Sequence, residues 1–393
     1  MHDDPDEMWP PSASVVADGA DASTADADAI DAPTPAEQPR LSLLGKIAIG
    51  VSILLLVVFI AGFLIHVPYS TIAPGEAVSL TNLVKVEGGK TFPTPRGDIR
   101  LLFVRERNNV NLWRYLQARL DSDIDLFKEE QLNPGNEPQG DLNAEAAADM
   151  ADAKLAATKV ALQAAGYTVK PATSGVLVQE PLPSKPAGKV LKAGDVIVAA
   201  DGMTLRTTKD LRTAIAKHKA GESITLDIKR KGEPRTVHVK VADIDGTPAI
   251  GVRVSPIYDF PIKVDVDTEG IGGPSGGLAM TLAIFDDLTA GDLTGGQRVA
   301  VTGTMDPNGN VGEIGGIAQK AVAAKAAHAK LFIVPKCAAS DPPAQLQACQ
   351  KDLTKATQRA GSKVKVIPVG TFDEALQVLR DNGGATPVTT RAA

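Results

Sequence analysis

The stretch Gly272-Gly273-Pro274-Ser275-Gly276-Gly277 decides how the C-terminal half of this chain is read, together with Gly312-Glu313-Ile314-Gly315-Gly316-Ile317-Ala318-Gln319-Lys320 downstream. Glycine takes backbone angles that other residues avoid, so a serine set among glycines can project its hydroxyl from a sharp turn. Each stretch runs into an apolar helical pattern, at 277–288 and 316–328. A lysine at an apolar helix start loses its proton more readily, because burial disfavours the ammonium form. A serine hydroxyl beside an uncharged amine makes a nucleophile and its base with no histidine.

Working outward, Val299–Gly303, Lys330–Pro335 and Val364–Val369 read as buried strands. They alternate with helices at 277–288, 316–328 and 371–380, which is an α/β arrangement. The glycines of this half fall between those elements, so its tight turns gather around one region. The unit is taken as residues 243–380, with a disordered C-terminal tail at 381–393.

The preceding segment is compact and strand-rich. An alanine-rich helix at 144–165 stops at Gly166. Gly166-Tyr167-Thr168-Val169 and Gly175–Gln179 read as strands, and Leu191–Gly202 as turn, strand, turn. Thr208–Lys219 is an amphipathic helix with Leu211, Ile215 and Ala216 inward. Ser223–Lys229 and Arg235–Val241 alternate as a hairpin around Lys231-Gly232. With its leading helix this domain is taken as 144–242. Before it, 83–87 and 99–105 read as strands and 111–120 as a helix, giving a separate α/β segment at 68–143. Whether those strands join the C-terminal sheet is open at this level.

Residues 1–40 carry ten acidic residues against Arg40 alone. Subtracting that −9 from the whole chain's −6 leaves +3, so no strong nucleic-acid footprint remains. With few large apolar residues, the segment reads as a disordered acidic tail. Ile47–Val67 is an uncharged run of 21 residues, enough to span a bilayer as a helix. A buried core helix would show a polar stripe, and a signal peptide has a shorter apolar region nearer the N-terminus. Arg40 and Lys46 flank its N-terminal end, and no Lys or Arg follows until Lys85, which places the tail in the cytoplasm and residues 68–393 outside. Cys337 and Cys349 either close a loop in an oxidising compartment or are two unrelated buried thiols. The five histidines are scattered without metal-ligand spacing, so no metal or other cofactor is expected.

The segment from Gly166 to about Val241 resembles a PDZ domain, with Leu191-Lys-Ala-Gly-Asp-Val-Ile…Asp201-Gly202 as its most specific stretch. PDZ domains hold a peptide's carboxylate on a Gly-φ-Gly-φ loop and add the peptide as a strand. Ala164-Ala165-Gly166-Tyr167 occupies that place here, with Ala164 replacing the first glycine. The resemblance implies peptide contacts at Gly166, Tyr167 and Thr168.

Residues 260–380 resemble the proteolytic domain of the Lon family. Gly273-Pro274-Ser275-Gly276-Gly277 matches its Gly-Pro-Ser-Ala-Gly motif with Gly276 in place of alanine. Thr302-Gly303-Thr304 stands where the family has Thr-Gly-Glu, and Gly315–Lys320 matches Gly-Gly-x-x-x-Lys. Together with the PDZ-like module and the apolar span, the chain is similar to membrane-anchored, PDZ-fused Lon-like serine proteases. The resemblance implies Ser275 as nucleophile, Lys320 as base and Thr302 orienting the amine. Oxyanion donors are expected from Ser275, with Gly273 or Gly276. It further implies protein or peptide substrates and a homo-oligomer, a hexamer in many Lon-type domains. Larger Lon proteases carry an ATPase. Here Gly89-Lys90-Thr91 has Val84 where a phosphate-binding loop needs its first glycine, so the expectation is ATP-independent cleavage.

Taken singly, Ser275 is a glycine-rich helix start and Lys320 a solvated helix residue; their ordered joint occurrence around Thr302 carries the reading. Two rivals are a non-catalytic membrane-tethered PDZ scaffold and a serine–histidine hydrolase using His238 or His328. Asp265 and Asp267 are read as solvated strand charges outside the site.

Overall fold

The computed structural model describes residues 42–92 and 97–386. The acidic stretch 1–40 and residues 387–393 lie outside the described residues.

Helix α1, Leu43–Leu64, forms where the apolar run lies and is long and apolar enough to cross a membrane. At about 1.5 Å per residue it reaches roughly 33 Å, against a hydrocarbon core of about 30 Å. Its side chains point outward with almost none buried; Gly62 is the exception.

After it come β1 (Tyr69–Ser79), β2 (Val84–Glu87), β3 (Asp98–Arg107), α2 (Leu112–Leu120) and β4 (Asp125–Lys128). The 26-residue α3 (Gln139–Ala164) follows. Next are β5 (Lys170–Pro181), β6 (Val196–Ala200), α4 (Thr208–Ile215), β7 (Ser223–Arg230), β8 (Glu233–Lys240), β9 (Val252–Asp259) and β10 (Lys263–Val266). The C-terminal part comprises α5 (Gly277–Leu288), β11 (Arg298–Val301), α6 (Ile317–Ala326), β12 (Leu331–Pro335), α7 (Pro343–Ala360), β13 (Lys365–Val369) and α8 (Phe372–Asp381).

The main sheet runs β13-β12-β11-β3-β1-β4. β13, β12, β11 and β3 are parallel, while β1 and β4 join antiparallel. Successive strand residues point to opposite faces, and the core divides accordingly. Leu101, Val299, Val301 and Ile333 pack with α3, α5 and α8 on one face. Leu102, Ala300, Phe332 and Val334 pack with α6 and α7 on the other. Burial on both faces explains why these strands read as continuous apolar runs.

A second sheet, β9-β5-β6-β7-β8, has its own core of Val176, Val178, Ile197, Leu211, Ile224 and Leu226. The hairpin expected around Lys231-Gly232 is there, with both residues at positive φ (53° and 88°). Thr207 caps α4 and Asp210 returns the bond to the Thr207 N–H, a reciprocal capping box.

Several sequence-level boundaries shift. The strands before residue 105 do not form a separate segment: β1 and β3 lie inside the main sheet, because β3 supplies Ile99 and Leu101 to its core. The alanine-rich helix begins at Gln139 rather than 144 and does not lead the PDZ-like sheet. Its small side chains Ala153, Ala156, Ala157 and Ala161 are buried in the main core, where they allow close approach of α5. β9, counted with the C-terminal unit, pairs instead with β5. Gly166 ends a turn and 167–169 are irregular, so no strand forms before Lys170. Helix α7 was not expected. The tail drawn from 381 onward hooks back first: Gly384 N–H donates to Leu379 O (2.9 Å) and Ala385 N–H to Asp292 O (2.7 Å). Cys337 and Cys349 are joined as a disulfide, settling the alternative left open above.

Candidate active site

The site is built where β11, an interior strand of the main sheet, ends and the helices α5 and α6 begin. Thr302 follows β11 and is fully buried, its N–H donated to Ile333 O at 3.0 Å. The next residue, Gly303, gives its N–H to Ser275 O (2.9 Å), and Thr302 Oγ1 donates to the same carbonyl (3.1 Å). The backbone of the serine is thus clamped by the residues leaving β11. Ser275 itself sits in a short 3-10 turn, Pro274–Gly276, that runs straight into α5. Gly273, at φ 85°, makes the reversal into that turn, a conformation costly for any side chain with a Cβ.

Lys320 reaches the site from the opposite face of the sheet. It lies in the first turn of α6, whose N-cap Gly316 has φ 70°. A Cβ there would stand 2.9 Å from Val104 Cγ1, so only glycine lets the helix start this close to β3. The Lys320 side chain is 2 % exposed, among the largest fully buried side chains of the described residues. Its Nζ lies 2.8 Å from Ser275 Oγ and 3.0 Å from Thr302 Oγ1. Burial, with no compensating carboxylate, pushes the Lys320 amine down to about 7.

The chemistry follows from these contacts. An amine poised near neutrality exists partly uncharged and can accept the Ser275 proton along the 2.8 Å contact. Thr302 holds the amine on the serine while tying the serine's own carbonyl, so one side chain orients both partners.

The remaining sequence candidates divide. Gly273 is not available as an oxyanion donor: its N–H is given to Ala146 O of α3 at 2.9 Å. Its part is the turn. Ser275 N–H and Gly276 N–H, at the opening of the helical turn, are the candidate donors left once Gly273 is excluded, aided by the positive end of α5. Gly276 packs below the serine; a Cβ there would stand 2.8 Å from Leu101 Cδ1. Gly166, Tyr167 and Thr168 form no carboxylate nest. Gly166 N–H goes to Gln163 O (3.1 Å) and Tyr167 N–H to Leu162 O (2.9 Å), so both are used in ending α3. Asp265 and Asp267 lie outside the site, Asp265 opposite Lys85 across the β10–β2 pair. His238 meets Thr225 (3.2 Å) and is remote from Ser275 in its contacts.

Sequence reasoning missed α3 as a site element. Its Ala146 carbonyl and the glycine loop touch directly, and a Cβ on Gly272 would come 3.1 Å from Ala146 Cβ. The run of alanines at core spacing was the signal: such a stripe permits a close helix contact, but says nothing of which partner fills it.

Comparison with known proteins identifies the two domains. Residues 259–380 match the model of the Lon protease (S16) C-terminal proteolytic domain, and residues 164–241 match the PDZ domain model. This chain carries a PDZ domain joined to a Lon-type proteolytic domain. A Lon protease from Trichlorobacter lovleyi is 33 % identical over 126 residues, covering 30 % of this chain and 14 % of that protein. A probable periplasmic serine protease do/HhoA-like from Haemophilus influenzae is 33 % identical over 103 residues, covering 26 % of this chain and 22 % of that one. The crystal structure of the PDZ domain of an SdrC-like protein from Listeria monocytogenes is 29 % identical, with a TM-score of 0.21, covering 22 % of this chain and 92 % of that domain. The chain therefore spans less than a quarter of the length of the two curated relatives.

Proposed function

We propose that the protein is a membrane-anchored serine endopeptidase that cleaves unfolded or flexible protein segments without ATP, using Ser275 and Lys320. The observation that carries this reading is the 2.8 Å contact between Ser275 Oγ and a buried, depressed Lys320 amine. The neutral amine takes the hydroxyl proton as Ser275 Oγ attacks the scissile carbonyl. The developing oxyanion is met by the Ser275 and Gly276 N–H groups at the helix opening. The lysine ammonium then gives its proton to the departing amine. Water, deprotonated by the same lysine, hydrolyses the acyl-enzyme.

The sequence has no Walker-type phosphate loop, and a site without a motor cannot pull folded structure apart, which favours flexible substrates. The location outside the cytoplasm rests on the charge flanking α1 and on the Cys337–Cys349 disulfide, a bond that persists in oxidising compartments. The PDZ domain is assigned to substrate selection. With the Gly166 loop closed, the natural docking edge is that of β9, which pairs on one side with β5 and lies beside α4; a peptide would add there as a further strand.

The test is hydrolysis of a casein-like unfolded protein by the full chain in lipid nanodiscs, without nucleotide. Turnover should occur and vanish with Ser275→Ala. An absolute requirement for ATP, or full turnover by Ser275→Ala, overturns the proposal.

A further inference from the structure

Beyond the peptidase site, the helix α2 carries features that its place in the main fold does not use. Its Trp113 Nε1 donates to Phe59 O at 2.8 Å, and its ring lies against Gly62, where a Cβ would stand 2.1 Å from Nε1. Phe59 is five residues short of the end of α1, about 7 Å inside it along the axis. Trp113 therefore sits at the depth of the span itself. From Trp113 an apolar stripe continues along α2 at helical spacing through Leu116 and Leu120. These are 41 % and 89 % exposed. Outside α1 and the residue after it, the only other exposed large apolar side chain among the described residues is Met203.

Cations accompany the stripe. Where α1 ends, a hollow of about 420 Å³ is lined by Phe63, His66, Arg107, Trp113 and Arg114, among others. Arg114 Nε is buried with no hydrogen-bond partner. Among the described residues Arg107, Arg114 and Arg119 pair with no carboxylate, as is also true of Arg206, Arg212, Arg235, Arg298 and Arg380; what sets Arg107 and Arg114 apart is that both line the hollow where α1 ends.

We infer that α2 is a membrane-docking helix: Trp113, Leu116 and Leu120 enter the leaflet from which α1 emerges, and Arg107 and Arg114 hold the phosphate of an anionic phospholipid in the hollow beside them. The apolar face is continuous with that of α1, which commits the occupant to the same membrane. An apolar face of Trp and Leu entering the leaflet, with arginines at headgroup level beside it, is the usual order of an interfacial helix. Each arginine near an anionic leaflet adds to the attraction. Since β3 and β4 flank α2 in the chain and sit in the main sheet, docking would also fix the height of the active site above the bilayer. The inference rests on α1 spanning a membrane.

The native cysteines are joined to each other, so a single added thiol reports alone. Leu120→Cys and, as control, Met203→Cys are labelled with an environment-sensitive fluorophore in the full chain. The chains are then placed in nanodiscs of phosphatidylglycerol or phosphatidylcholine, plain or brominated in the acyl chain. The label at 120 should be blue-shifted and lose most of its emission in brominated discs, while the label at 203 should do neither. Arg107→Gln with Arg114→Gln should weaken the quenching at 120 in phosphatidylglycerol, and Arg→Lys at both should restore it. A chain that floats with lipid but leaves position 120 unquenched overturns the docking helix. Quenching at 120 that ignores the arginine pair and the headgroup charge overturns the phosphate site. A chain that fails to float with lipid at all removes the membrane span, and the inference with it.

Discussion

Gly273 donates its N–H to Ala146 O at 2.9 Å, which joins the turn ahead of Ser275 to the first turns of α3. The same turns are held from the PDZ side. Asp141, 1 % exposed, accepts the Ser184 N–H (2.9 Å) and its hydroxyl, and Asp149 pairs with Arg253 of β9 (2.6 Å). The PDZ edge strand, α3 and the Ser275 turn are therefore one continuous set of contacts.

Disturbing that joint without touching the dyad should cost activity rather than stability. In Gly272→Val the side chain begins 3.1 Å from Ala146 Cβ and needs room beyond it, so the turn must move away from α3. A misplacement of about 1 Å can cost on the order of 100-fold in rate. The expected result is a kcat/KM lowered by roughly 10–100-fold at nearly unchanged Tm, measured with a peptide substrate. Equal activity would disconnect α3 from the site.

The dyad predicts a pH profile of definite sign. Lys320 must be uncharged to accept the serine proton, and its value stands at about 7. Activity, or the rate of Ser275 acylation by a phosphonate probe, should rise through about pH 7 and level off above it. Thr302→Val keeps the shape but removes the hydroxyl that lies 3.0 Å from the amine. It should lower kcat roughly tenfold or more, within the usual reach of general-base positioning, while KM stays close to wild type.

Burying Lys320 has a cost that pH exposes. Its amine titrates at about 7 when folded, against an ordinary value of 10.5. Between those values the unfolded chain binds more protons than the folded one, so stability rises with pH across the window. The penalty is complete below about 7 and gone above the unfolded value. Lys320→Met, apolar and of similar length, should be inactive yet more stable near neutrality, by an amount on the order of a few kcal/mol. The advantage should shrink as denaturation midpoints are followed toward pH 10. A variant less stable at every pH would contradict this account.

Much of the proteolytic half was legible because its signals are local. Ser275 and Lys320 sit in glycine-rich turns ahead of apolar helices, and the buried strands at 299, 331 and 365 are short apolar runs. The PDZ hairpin was legible from Lys231-Gly232 for the same reason. What the sequence hid is long-range pairing. Nothing local in Ile99 or Leu101 says that β3 pairs with β11, some 200 residues on, and nothing in Val252–Asp259 says that β9 pairs back to β5. The Gly166 turn was misread as a carboxylate loop, since the pattern Ala-Ala-Gly-Tyr serves equally as a helix stop. Its amides had already been given to Leu162 and Gln163.

The disulfide supplies the last prediction. Cys337 follows β12 and Cys349 lies in α7, twelve residues on. Between them, Ala338 N–H donates to Glu313 Oε1 at 3.4 Å, so the loop also touches the segment that precedes Lys320. A cross-link closing a loop of this size stabilises a fold by roughly 2–3 kcal/mol, mainly by restricting the unfolded chain. Cys337→Ser with Cys349→Ser should therefore lower stability by about that amount, read from denaturant midpoints at unchanged slope. Ser275 and Lys320 stay joined through Thr302 and the main sheet, none of which involves the bridge. Phosphonate labelling of the folded double variant should accordingly proceed close to the wild-type rate. Labelling that disappears while the variant remains folded would mean that the bridge positions the Lys320 helix, giving it a part in catalysis that its contacts do not call for.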